Sequence, residues 1–66
     1  MTKTFVSKGI IKEKIPGTEN YKILLENNNY KMIPSSKIKG VPNIDSKGSL
    51  FRIMSDRLYY HLFEIE

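Results

Sequence analysis

The fold is set by the run Tyr21-Lys22-Ile23-Leu24-Leu25-Glu26-Asn27-Asn28-Asn29-Tyr30-Lys31-Met32-Ile33. Tyr21, Ile23 and Leu25 fall on one side and Lys22 and Glu26 on the other, the period of two of a strand with a covered face. Leu24 breaks the alternation, which points to cover on both sides. The three asparagines then form a turn, because asparagine tolerates left-handed backbone better than most residues. Tyr30–Ile33 follows as a short strand pairing back on the one before it.

Upstream, Pro16-Gly17-Thr18 is a turn with a mechanism: proline presets φ at one central position and glycine accepts positive φ at the next. Before it, Thr4 to Ile15 reads as a long strand. Its apolar parity changes near Gly9, with Val6 and Ile10 on one face and Ile11 and Ile15 on the other. Such a change beside a glycine predicts a bulge or bend. These three strands make an antiparallel meander. Pro34-Ser35-Ser36 closes it, and Ser35-Ser36-Lys37-Ile38-Lys39-Gly40 reads as a basic, flexible loop. A longer loop opens at Gly40-Val41-Pro42-Asn43 and ends at Ser46-Lys47-Gly48.

Leu50-Phe51-Arg52-Ile53-Met54, a Ser55-Asp56 turn and Arg57 to Ile65 read as a hairpin, rich in the aromatic and β-branched residues of strands. Leu50, Ile53, Met54, Leu58, Leu62 and Ile65 also fit one face of a helix, with Ser49 as its cap. Glu64 and Glu66 would then oppose the helix dipole. The expectation is one all-β domain over residues 1–66, a small five-stranded antiparallel barrel, with a helix as the alternative for the C-terminal segment.

A chain of 66 residues has a thin core, and without cysteine it has neither a disulfide nor a thiolate metal site to support it. His61 alone cannot build a zinc site, and Asp56 and Glu64 have no familiar ligand spacing around it. No nucleotide-binding glycine loop, zinc-hydrolase motif or Ser-His-Asp set can be assembled, so neither an enzyme nor a cofactor is expected. Glu13 and Glu26 could be neighbours on adjacent strands, where paired carboxylates are usually solvated. No apolar stretch suits a signal peptide or a membrane span, which predicts a soluble, cytoplasmic protein.

The net charge of +4 is uneven. Residues 1–47 carry nine lysines against four carboxylates, and residues 48–66 two arginines against three carboxylates. A basic body predicts a polyanionic partner, RNA or single-stranded DNA, although a lysine-rich coding bias gives the same excess. Lys12, Lys14, Lys22 and Lys31 would lie on the outer faces of the meander near Tyr21 and Tyr30. There cations track phosphates while bases stack on rings. The parity of the two tyrosines equally suits the core. Lys37 and Lys39 would grip backbone phosphates from the basic loop, if that loop is not merely solvated. The competing expectation is a protein-interaction module, phage or mobile-element encoded, docking on a host protein or forming a homodimer. Its surface would be the aromatic segment Tyr59, Tyr60, His61 and Phe63, too large a group to bury in so thin a core.

Gly9-Ile10-Ile11-Lys12-Glu13-Lys14-Ile15-Pro16, then Tyr21-Lys22-Ile23-Leu24-Leu25-Glu26-Asn27, then Ile33-Pro34-Ser35-Ser36-Lys37-Ile38-Lys39 together resemble the first half of the smallest bacterial translation initiation factor, an S1-like OB-fold family. That family shows Gly, a Glu four residues on, a Pro, an aromatic, and Leu-Glu-Asn before a turn. Its Ser-Gly-Lys-Met loop falls on Ser35, Ser36, Lys37 and Ile38. The family's charged ending is replaced here by Leu58-Tyr59-Tyr60-His61-Leu62-Phe63. The resemblance implies an OB-like barrel that contacts RNA or single-stranded DNA through its strand surface and through Lys37 and Lys39. The same three-strand start and Pro-Ser-Ser turn suit an SH3-like barrel.

Overall fold

The computed structural model, which describes residues 2–66, is all-β. Strands β1 (Thr2–Lys14), β2 (Asn20–Leu25), β3 (Tyr30–Pro34), β4 (Ile38–Lys39), β5 (Lys47–Ser55) and β6 (Leu58–Ile65) follow in order, with a 3-10 turn at Ser35–Lys37 between β3 and β4. They join in one sheet of order β3-β2-β1-β5-β6-β4, curled into a half-barrel. No helix among the described residues is long and apolar enough to cross a membrane.

The meander forms as its turn residues dictate. Ile15 to Thr18 is a turn closed by the Thr18 N–H donating to the Ile15 carbonyl at 3.2 Å, with Gly17 at φ 77°. That is the conformation a Pro-Gly pair favours at the centre of a type II turn. Between β2 and β3, Asn28 takes φ 66°, and the Asn29 N–H donates to Asn27 Oδ1 at 3.1 Å. The C-terminal segment is the hairpin and not the helix: β5 and β6 pair without a break from Gly48–Ile65 to Ser55–Leu58, with Asp56 at φ 56° in the turn.

Three expectations need correction. The sheet has six strands, and one pair is parallel, since β4 lies beside β6 with Ile38 opposite Phe63 and Lys39 opposite Glu64. The basic stretch 35–40 is therefore not a flexible loop. Ile38 is buried, and docking that one apolar side chain draws the chain into a 3-10 turn and a two-residue strand. The bulges also sit elsewhere. Register shifts fall between Phe5 and Ser7 against β5 and between Ile11 and Glu13 against β2. Gly9 lies midway, where β1 pairs with Leu25 on one side and Gly48 on the other.

The core is Ile11, Ile23, Ile33, Ile38, Leu50 and Phe63, with Tyr21, Leu25 and Ile65 packed against it. Gly9 and Gly48, paired across β1 and β5, leave the space that Ile23 and Phe63 fill. A Cβ at Gly9 would stand 2.8 Å from Ile23 Cγ2, and one at Gly48 2.8 Å from the Phe63 ring. On the opposite face of the sheet, Phe5 meets Phe51 edge-on at 5.9 Å, and Lys3 Nζ lies 4.4 Å from the centre of the Phe51 ring.

Candidate nucleic-acid interface

The curl of the sheet brings β3 opposite β6, but β4 covers β6 only at Phe63 and Glu64. The remaining length of β6 has no ladder partner on that side among the described residues, and the barrel stays open there. A cleft of about 260 Å³ occupies the opening, lined by Lys31, Met32, Ile33 and Pro34 of β3, Lys37 of the 3-10 turn, and Tyr60 and His61 of β6. Ile33 belongs to the core, so the cleft has an apolar floor and a cationic, aromatic rim.

Each rim side chain has a local cause. Lys31 pairs in register with Ile23, so it leaves β3 on the inward side and is half-buried at the mouth. Lys37 ends the 3-10 turn and lays its Nζ 4.2 Å from the centre of the Tyr60 ring. His61 stands opposite Arg52 across the hairpin, and the Tyr59 ring meets it edge-on at 6.0 Å. On the outer face of β3, Tyr30 is 54 % exposed, and Lys22 Nζ sits 4.2 Å from its ring centre. Two lysines are thus parked on two tyrosines, the geometry of a cation–π contact. Among the described residues, none of the three ion pairs, Lys3–Glu64, Lys8–Glu66 and Lys12–Asp45, draws on Lys22, Lys31, Lys37 or Arg52. No carboxylate lines the cleft among the described residues.

The charge around His61 acts on the imidazole itself. Burial, then Lys31, then Arg52 hold its pKa below the ordinary histidine value. The unfolded chain, with a histidine pKa of about 6.5, binds that proton more readily than the folded one. Stability therefore rises with pH across the window between the depressed folded value and about 6.5. The urea midpoint is expected to be lower at about pH 5.5 than at about pH 7.5, and His61→Gln should narrow that difference; an unchanged difference would remove His61 as its source.

The other candidates disperse. Lys12 sits at the β1 bulge, 3.8 Å from Asp45, and Lys14 donates to the Thr18 carbonyl at 2.7 Å beside the Pro16-Gly17 turn. Lys39 lies in register with Glu64. Of the proposed meander surface, only Lys22 faces outward beside an exposed tyrosine. Tyr21 packs on the core, whereas Tyr30 and Met32 face out. Tyr30–Ile33 carries apolar side chains at both parities, so its pattern leaves the inward face open. Pairing Leu24 with Tyr30 settles it in favour of Ile33. Glu13 pairs with Lys22 and Glu26 accepts the Lys8 N–H, so the two carboxylates are not neighbours.

The aromatic segment divides as well. Phe63 is fully buried at the centre of the core and cannot anchor a partner. Tyr60 and His61 line the cleft, and Tyr59 is exposed beside His61. Sequence reasoning passed over Arg52 and Met32. Arg52 becomes visible once the hairpin turn is centred on Asp56-Arg57, which sets Arg52 against His61; Met32 shows no such signal. A second cavity of about 320 Å³ has a floor of Gly9, Ile10, Leu24 and Leu25 and a rim carrying Lys8, Lys47, Glu26 and Glu66. Its mixed charge gives a polyanion no advantage.

The β3–β6 cleft can hold an anion between two lysines, with Arg52 opposite His61 on the neighbouring strand, and offer ring faces to a planar group. Compared with protein-family models, curated proteins and solved structures, the chain matches none.

Proposed function

We propose that this chain is a non-enzymatic nucleic-acid-binding domain that holds single-stranded RNA or DNA in the cleft between β3 and β6. One observation carries the reading: Lys31 and Lys37, assigned by sequence to a basic surface, meet Tyr60 and His61, assigned to an aromatic one, in a single cleft without a carboxylate. Cations that track phosphates beside rings that accept bases are the working parts of a single-strand site. A duplex keeps its bases stacked on one another and has no free base face to offer those rings.

The topology supports an OB-like barrel over an SH3-like one. If β3 and β4 count as one strand interrupted by the 3-10 turn, the order becomes third, second, first, fourth, fifth, closed by a parallel pairing of the fifth strand with the end of the third. That is the strand order of a partly open Greek-key barrel of the OB type, whose second and third strands and neighbouring loops receive oligonucleotides. The likeness of the first half to the initiation-factor family favours RNA, and its Lys37 is a residue of the cleft.

The test is fluorescence anisotropy with a labelled single-stranded oligonucleotide and the matching duplex at low salt. The single strand is expected to bind more tightly. With three to four phosphates neutralised by Lys31, Lys37, Arg52 and Lys22, log affinity should fall against log salt with a slope of about −2 to −3. No binding of either form at low salt would end the proposal.

A second reading rests on the hairpin end, where Leu58 is 77 % and Tyr59 64 % exposed. Exposed apolar groups beside an unpaired stretch of β6 suit a protein partner or a second copy of this chain. A strict monomer in sedimentation, with nothing recovered in a pull-down, would rule it out.

A further inference from the structure

Resting on the reading of the cleft as a nucleic-acid site, we propose that binding there is proton-coupled: His61 is neutral in the free protein and becomes a third kind of cation in the site when a phosphate enters between Lys31 and Arg52. The geometry is of one imidazole among cations. From β5, Arg52 faces it in register; from β3, Lys31 faces it across the mouth; from the 3-10 turn, Lys37 lines the same cleft. From its own strand come two phenols, Tyr59 edge-on at 6.0 Å and Tyr60 on the cleft wall. Thr4, the β1 residue in register with Arg52, adds no charge. None of these neighbours is a carboxylate.

A proton on His61 in the empty cleft is opposed by burial and by Lys31 and Arg52, the causes that hold its pKa down. A bound phosphodiester reverses the balance. Its negative charge offsets Lys31 and Arg52, and its oxygens accept a hydrogen bond from the imidazolium, which now has two N–H donors. The proton is taken from solvent as the phosphate enters. By linkage, a ligand that raises the affinity for a proton must itself bind more tightly as protons become more available. Nucleic acid should therefore bind more strongly at mildly acidic pH, the same range in which the free protein is less stable.

The probe is a labelled oligouridylate with a 5′-hydroxyl end, since neither uracil nor the phosphodiester link titrates between about pH 8 and about pH 5.5, where histidine changes charge. Wild-type affinity is expected to rise about tenfold across that span, the effect of one pKa unit of difference between free and bound states. His61→Gln should abolish the rise. An NMR titration of the His61 ring in the unmodified protein gives an independent reading, with the apparent pKa expected to be higher in the presence of oligouridylate than in its absence. Salt-sensitive binding that is flat in pH, or an equal pH dependence in His61→Gln, would overturn the coupling and leave the binding site standing. No binding at any pH would overturn both.

Discussion

Gly48→Ala is expected to lower stability by about 3 kcal/mol, near the top of the range for over-packing a filled core. A 66-residue domain has roughly 3–10 kcal/mol in all, so this one methyl removes about a third or more of it and should lower the urea midpoint in proportion. Two effects oppose each other. Alanine restricts the unfolded chain more than glycine does, which by itself stabilises by about 0.4–1 kcal/mol where the backbone is compatible. Against that, the new methyl collides with the Glu64 carbonyl oxygen and approaches the Phe63 ring to 2.8 Å. The ring could shift, but the carbonyl belongs to the β5–β6 ladder and can retreat only by loosening the hairpin. The collision wins. Phe63→Ala attacks the same place from the other side and should cost about 3–5 kcal/mol as a cavity. The two faults should not cancel. Phe63→Leu relieves the ring contact in a Gly48→Ala background but leaves the carbonyl, so the double variant should stay destabilised. Urea midpoints of the three proteins check this; a Gly48→Ala midpoint equal to wild type would show that β5 and β6 do not approach as closely as described.

The features legible in the sequence are those that one turn or one strand decides alone. Pro16-Gly17 specified its turn through the φ values the two residues favour, and the positive φ of Asn28 came from the asparagine run. Strand β2 was readable because Tyr21, Ile23 and Leu25 alternate. Strand β3 was readable as a short strand pairing with β2 but its inward face was not, because Tyr30, Met32 and Ile33 make both faces apolar, and the register with β2 had to choose. Ile38 shows the limit differently. A lone isoleucine among serines and lysines gives no periodic signal, yet it fills the end of the core and forces the 3-10 turn and the parallel pair. Composition alone sets Phe63 with Tyr59, Tyr60 and His61, a group too large for a thin core to bury together. The strand instead sorts that run by alternation, Phe63 inward against Leu50 and the rest toward the cleft or solvent. The cleft had no local signature, since Lys31, Lys37 and His61 come from three elements that meet only when the sheet curls.

Reversing both cleft lysines, Lys31→Glu with Lys37→Glu, is expected to weaken single-strand binding by about 100-fold or more at low salt and to flatten its salt dependence. Each lysine that neutralises a phosphate contributes roughly 0.7 to the single-strand salt slope, so losing two should remove about 1.4 of it. Reversal then adds repulsion between the two new carboxylates and the phosphates at close range. The decisive comparison is Lys12→Glu with Lys39→Glu, which changes the net charge equally. Those lysines lie beside Asp45 and Glu64 and outside the cleft lining, so their reversal acts only through the screened long-range field. A loss of about threefold is expected there, by the weak coupling of exposed charges across solvent. Circular dichroism of both variants should retain the β signature, because none of the four ammonium groups holds a core contact. If the two reversals weakened binding equally, net charge alone would account for the affinity, and the meeting of lysines and rings between β3 and β6 would have no part in it. A large loss confined to the first pair, with the salt slope reduced alongside, would place the bound phosphates between β3 and β6.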